Sequence, residues 1–197
     1  MTGNVLVVVA AYLLGSIPTA FLMGWVLRGI DIRTVGSGNA GATNVFRSIG
    51  KTAGVATLLI DMAKGLLAVE LAILYCGGEL WPLVAGAAAV AGHSWSVWVN
   101  FRGGKGVATS AGVFLALLPG PMGLSLLIFA VGFGLSRRVS VGSILAAAAL
   151  PLAAFFLSSP PPRIALAVVL SAVVIVRHIP NMRRLLRGEE PPLFKST

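Results

Sequence analysis

Twelve consecutive residues, Gly36-Ser37-Gly38-Asn39-Ala40-Gly41-Ala42-Thr43-Asn44-Val45-Phe46-Arg47, gather groups suited to holding an anion. Gly36, Gly38 and Gly41 let backbone N–H groups approach a phosphate together. Ser37, Asn39, Thr43 and Asn44 add uncharged donors, and Arg47 adds a guanidinium able to bind two oxygens at once. A flexible linker would explain the glycines but not the two asparagines, serine, threonine and arginine among them. The G-x-G-x-x-G spacing does not signal a dinucleotide site, which needs a strand, a turn and a helix in a βαβ unit; here the glycines follow a long uncharged apolar run. A second basic glycine stretch is Phe101-Arg102-Gly103-Gly104-Lys105-Gly106-Val107-Ala108-Thr109. It is not a Walker A loop, because Gly106 stands where the magnesium-binding Ser or Thr would follow the lysine. A lysine among three glycines, running into an apolar helix, can still cradle a phosphate at a helix N-terminus.

Further candidates are scattered. Asp61 and Lys64 lie three residues apart in an apolar segment, hence on one helical face, either as a functional pair or as a buried structural ion pair. His93 lies inside the next apolar run, where it either makes a structural hydrogen bond or joins the site. The stretch from Arg137 to Ser143 and the sequence His178-Ile179-Pro180-Asn181 complete the set. The single Cys76 excludes an intramolecular disulfide, no ligand cluster points to a metal, and no cofactor is expected.

These residues sit in a chain of 197 residues that is 57% hydrophobic and only 11% charged, with a mean hydropathy of +0.93. Soluble domains carry roughly 25% charged residues, so the composition predicts an integral membrane protein. Helix is the only regular structure expected, since open sheets cannot lie in lipid. Apolar runs over 1–27, 52–75, 80–101, 139–157 and 163–177 predict five crossings. The 31 uncharged residues 106–136, divided by Pro119-Gly120-Pro121, form either a broken helix or a hairpin of two more. Charge favours the hairpin, which returns Arg137 and Arg138 to the side holding Arg102 and Lys105. Pro18 should break the first run. Ser158-Ser-Pro-Pro-Pro162 is expected to form a rigid outer turn, and residues 180–188 a short helix on the membrane surface, starting at Pro180 and capped by Gly188.

The fold expected is therefore all-α: one membrane-embedded domain over residues 1–197, with seven transmembrane helices and a short interfacial C-terminal helix. Its amino terminus is outside and its carboxyl terminus in the cytoplasm. Of the fifteen Lys and Arg residues, thirteen, Lys195 among them, then fall on the cytoplasmic side, Lys64 lies within a helix and Arg163 alone is outside. The basic excess is assigned to anionic lipid and anionic substrates, with no nucleic acid as partner. All the motifs meet on one face, which suits a reaction between a water-soluble phosphorylated molecule and a fatty chain. An anion or phosphate-ester transporter is the alternative, but it calls for sites near the midplane and related halves, and no internal repeat is seen. A scaffold has no use for two glycine loops.

The motifs resemble one family along the whole chain. Tyr12-Leu-Leu-Gly-Ser-Ile-Pro-Thr-Ala20, the 36–47 and 101–109 stretches, Asp61-Met-Ala-Lys-Gly65, Gly92-His93 and Arg177-His-Ile-Pro-Asn-Met-Arg-Arg-Leu-Leu-Arg-Gly188 are similar to the PlsY family of bacterial glycerol-3-phosphate acyltransferases. Departures are Ala40, where the family commonly has Pro, and Ser94-Trp-Ser after His93. The resemblance implies a bacterial inner-membrane enzyme, active on the cytoplasmic face, that moves a fatty acyl group from acyl phosphate to the 1-hydroxyl of glycerol 3-phosphate; a monomer is expected. The product is lysophosphatidic acid, in the first step of phospholipid synthesis. It places Ser37, Arg47 and Lys105 around the phosphate groups, with His178 and Asn181 completing the acceptor pocket. Gly36, Gly38, Asn39, Gly41, Thr43, Asn44, Gly103, Gly104, Gly106, Thr109 and Ser143 are then substrate- or phosphate-binding, and Asp61, Lys64 and His93 supporting.

Overall fold

Pro18 decides how the first apolar run folds. Lacking an N–H, it ends α1 (Thr2–Ser16), and the chain restarts as α2 (Thr19–Arg28), which closes on Gly29 in the left-handed conformation at φ +65°. The structure, a computed structural model, describes residues 2–194; Lys195 lies outside the described residues. Among these, the regular structure is ten α-helices and two short 3-10 turns, with no strand. The chain falls into two compact units, Met1–Leu117 and Leu118–Thr197.

In the first unit the polar loop after α2 is more structured than expected. It holds a 3-10 turn at Ile32–Thr34, capped by Asp31, and then α3 (Ala42–Ser48). α4 (Lys51–Tyr75) follows, 25 residues long and so about 37 Å. It packs against α1, α3, α5 (Leu80–Ser94) and α6 (Val107–Leu117). Its buried stripe is mostly small or polar: Ala53, Gly54, Thr57, Asp61, Lys64, Gly65, Ala68, Val69 and Ala72. The missing side chain at Gly65 admits the Thr109 carbonyl of α6, and Gly112 admits the Met62 carbonyl in return, so the two backbones touch.

The run 80–101 is not one helix. α5 stops at Ser94 because the chain reverses: Gly104 N–H donates to His93 O at 3.1 Å and Gly103 N–H to Ser94 O at 3.2 Å. A 3-10 turn at Val97–Val99 and two left-handed residues, Asn100 (φ +55°) and Phe101 (φ +60°), make the reversal.

The second unit is a train of antiparallel helices. α7 (Pro119–Ser136) packs on α8 (Val139–Phe156), and α8 on α9 (Pro161–Arg177). Leu118 separates α6 from α7, near the division that Pro119 and Pro121 foretold. The prolines after Ser159 begin α9 rather than end a turn, Pro161 serving as its first residue. A bend of 51° at His178 leads into α10 (Ile179–Leu186), which Pro180 opens and Gly188, at φ +72°, closes.

Leu6, Val26, Leu74, Leu135, Phe155 and Val169 are all more than half exposed, while Asp61, Lys64, Thr57, Ser16 and Ser94 are buried. Apolar outside and polar inside is the arrangement that lipid favours. Among the described residues, three stretches can cross a membrane by length and composition, Thr2–Arg28, Pro119–Ser136 and Val139–Phe156; the bent pair α9 and α10 adds a fourth only if the two count as one span.

Candidate active site

The first glycine loop is built on Asn44. Buried in α3, its carboxamide donates to Ile32 O (2.8 Å) and Val35 O (3.0 Å), and its Oδ1 accepts from Ser37 N–H (3.1 Å) and Ser48 Oγ (3.3 Å). Gly36 is required beside it: at φ +59° the backbone is left-handed, and a side chain would strike Asn44 Oδ1 and Ser48 Oγ. Asn44 thus spends its hydrogen bonds shaping the loop. Gly36, Ser37 and Gly38 form an exposed crest, with Asn39, Gly41, Thr43 and Arg47 partly buried behind it, Arg47 in the last turn of α3.

The second glycine loop adjoins the first. A side chain on Gly104 would meet His93 Nε2 on one side and the Ala40 carbonyl on the other, so the two loops and His93 are in contact. Lys105 stands between buried Gly104 and Gly106 (φ +85°), immediately before the first turn of α6. Arg33 ties the first loop to the turn after α5: it grips Asp31 through Nε and Nη2, donates from Nη1 to Val99 O at 2.9 Å, and lies over the Phe21 ring. That grip holds the Asp31 carboxyl below the usual carboxylate range.

Beneath the loops, Asp61, Lys64 and His93 form one buried cluster. Lys64 Nζ is 2.7 Å from Asp61 Oδ1, and His93 Nδ1 is 3.7 Å from the same oxygen. Lys64 also donates to Gly15 O (3.2 Å) and Ile17 O (2.8 Å), carbonyls that the break at Pro18 leaves without helical partners. Ser96 Oγ takes the Ser16 carbonyl at 2.5 Å. A cavity of about 10 Å³, room for about one water, is bounded by Pro18, Phe21, Ala40, Asp61, His93 and Gly104. On the outer side of the same break, Leu13, Ile17, Phe21, Leu22 and Trp98 line an apolar groove of about 600 Å³. Thr109 is buried between α6 and α4.

In the second unit His178 is buried at the bend before α10, and Asn181 is buried in the first turn of α10. His178 Nδ1 lies 2.8 Å from Val174 O; a carbonyl only accepts, so Nδ1 carries the proton and the lone pair of the neutral ring falls on Nε2. Asn181 Nδ2 donates to Glu190 Oε1 at 2.7 Å. Ser140 Oγ donates to the same oxygen and Arg184 Nε to Oε2, both at 2.7 Å. Burial alone would push the Glu190 carboxyl up, but the bonds from Asn181, Ser140 and Arg184 together hold it below its ordinary value. Ser143 is buried in α8 and donates to Val139 O of its own helix.

The comparisons with known proteins decide the class. The sequence model described as Glycerol-3-phosphate acyltransferase matches residues 5–188. The chain belongs to this glycerol-3-phosphate acyltransferase family, the PlsY family. Among curated relatives, the glycerol-3-phosphate acyltransferase of Trichlorobacter lovleyi is 46% identical over 96% of this chain and 97% of that protein, and that of Endomicrobium trichonymphae is 43% identical over 96% of each. The crystal structure of PlsY (YgiH), an integral membrane glycerol 3-phosphate acyltransferase in its glycerol 3-phosphate form, superposes with a TM-score of 0.92. It is 39% identical and matched over 98% of this chain and 96% of that one. The lysophosphatidic acid form of PlsY gives 0.88 at 38% identity, over 96% and 94%. An integral membrane acyltransferase of this family is therefore what the geometry must serve.

Two sets of residues escaped the sequence reading. Asp31 and Arg33 brace the first loop, and Arg184 and Glu190, with Ser140 of the 137–143 stretch already singled out, surround Asn181. Scarcity was the available signal: with only six carboxylates in the chain, each is a candidate anchor for a cation, and Asp31, Asp61 and Glu190 all hold one.

Proposed function

We propose that this chain transfers a fatty acyl group from acyl phosphate to the 1-hydroxyl of glycerol 3-phosphate, giving lysophosphatidic acid and inorganic phosphate. The observation that carries the reading is the contact of the two glycine loops, each containing or ending in a cation, within a protein of this acyltransferase family. Arg47 and Lys105 bind phosphate oxygens, Lys105 helped by the first-turn N–H groups of α6. Ser37, on the exposed crest, donates a further bond. His178 and Asn181 hold the acceptor. Asp61, Lys64 and His93 support the loops from below, and the groove at Leu13, Ile17, Phe21 and Trp98 has the chemistry to take an acyl chain.

Acyl phosphate, not acyl-CoA, is the donor. Acyltransferases using acyl-CoA often orient a catalytic His with an Asp five positions later, whereas His93 is followed there by Trp98 and His178 by Arg183. The transfer is direct, because a mixed anhydride already carries a good leaving group and gains little from a covalent enzyme intermediate. The alcohol attacks the acyl carbon, the bond to phosphate oxygen breaks, and the cations stabilise the departing phosphate. The hydroxyl proton passes to His178 Nε2 or to a substrate phosphate oxygen.

The seven-crossing topology, with both glycine loops and α10 on the cytoplasmic face of the inner membrane, belongs to the same proposal, as does action as a monomer. Purified protein given acyl phosphate and glycerol 3-phosphate should form lysophosphatidic acid, and acyl-CoA should not replace the donor. Efficient turnover of acyl-CoA would refute the donor assignment. Intact-mass measurement with acyl phosphate alone should show no acyl adduct; one that glycerol 3-phosphate removes at the turnover rate would refute direct transfer, with Ser37 the credible nucleophile.

A further inference from the structure

Glu190 is a carboxylate with a side chain only 4% exposed, yet the chemistry above gives it no task. Its Oε1 accepts from Asn181 and from Ser140, its Oε2 from Arg184, and its backbone carbonyl from Arg138 Nε at 2.8 Å. Four residues from the start of α8 and from α10 thus converge on one residue beyond both helices.

The consequence falls on Asn181. A carboxamide has two faces of similar shape, one donating and one accepting, while an ionised carboxylate offers acceptors only. Turned over, Asn181 would press Oδ1 against Oε1 with no proton between them, in a buried place where such a mismatch is costly. Glu190 therefore holds the carboxamide in one of its two orientations, with Nδ2 toward Oε1 and Oδ1 directed away as an acceptor. A nucleophilic hydroxyl needs such an acceptor. Its O–H must donate to a fixed group while its lone pair is aimed at the acyl carbon.

We propose that Glu190 is a positioning residue for the acceptor alcohol: through the Asn181–Glu190 bond it sets the Asn181 carboxamide so that Oδ1 can receive a substrate hydroxyl. Ser140 and Arg184 keep the carboxylate in place. This rests on the reading above in which Asn181 holds the acceptor.

The test is a double-mutant cycle on the purified full chain, with acyl phosphate fixed, glycerol 3-phosphate varied, and the melting temperature of every variant recorded. In Glu190→Gln an N–H can face Asn181, the carboxamide can turn over, and kcat/KM for glycerol 3-phosphate should fall about 10-fold or more. KM for acyl phosphate should stay within about twofold. Added to Asn181→Ala, the same change should cost less than about twofold, because its effect travels through Asn181. Equal losses in both backgrounds would mean that Glu190 acts on folding alone, and would overturn the proposal; so would wild-type kinetics in Glu190→Gln. Glu190→Asp, which still offers only acceptors, should retain more kcat/KM than Glu190→Gln, and it carries the cycle if the Gln variant does not fold. Full activity in Asn181→Ala would instead remove the reading of Asn181 itself, and the proposal with it.

Discussion

Lys64 Nζ donates to the Ile17 carbonyl at 2.8 Å, so a charge from the middle of α4 fills the gap that Pro18 opens between α1 and α2. The same ammonium neutralises Asp61 and takes the Gly15 carbonyl. Its removal leaves a buried carboxylate without its cation and takes a charged donor from the Gly15 and Ile17 carbonyls. Lys64→Met should lower stability by about 3–5 kcal/mol, whereas Asp61→Asn with Lys64→Met should cost less than Lys64→Met alone, since no charge is then stranded. Thermal unfolding in detergent measures both. A double variant worse than the single one would show that the carboxylate has a separate task.

Arg47 tests the phosphate clamp. If its guanidinium binds two phosphate oxygens, Arg47→Lys keeps the charge but loses the fork. Loss of a charged hydrogen bond of about 1.5–3 kcal/mol implies a drop in kcat/KM of roughly 10- to 150-fold. Lys105→Ala should be at least as damaging. Near-normal kinetics in Arg47→Lys would demote the residue to a surface charge.

Topology can be read by labelling single cysteines in a Cys76→Ser background, Cys76 being buried at the end of α4. An impermeant reagent outside intact cells should modify Ser159→Cys, in the turn before α9, and leave Ser37→Cys untouched. Modification of Ser37→Cys from outside would invert the orientation.

Glu190 should also register in the pH dependence of stability. Its folded pKa lies below the ordinary value of about 4.3, so the ionised carboxylate contributes stability that is fully present above that value and lost as pH falls through the folded one. The melting temperature of the wild type relative to Glu190→Gln should therefore hold steady from neutral pH down to about 5 and decline below about 4. A difference that persists unchanged into acid would show that the carboxylate is not ionised in its network.

The residue types alone determined the class of this protein and marked out its candidate site. A chain this apolar cannot be soluble, and glycines with Ser, Asn, Arg and Lys stand out from it because nothing else in the spans resembles them. Local rules also located Pro18, Pro180 and Gly188, since a missing N–H or a left-handed φ is a property of one residue and its near neighbours. Asp61 and Lys64 were legible as a pair for the same reason, being one helical turn apart. The short α3 was not, because seven residues show little periodicity and what holds it is non-local: Asn44 binding Ile32 and Val35, and packing on α4. The end of α5 at Ser94 was hidden too, as the N–H groups that cap it come from Gly103 and Gly104, beyond the reversal. Tertiary structure alone decided that Lys64 holds carbonyls 47 and 49 residues away and that Gly104 must be bare to fit against His93 and Ala40. It alone decided that Glu190 accepts a hydrogen bond from Asn181. Composition and spacing encode what a residue can do; which partner it meets depends on how helices distant in sequence pack.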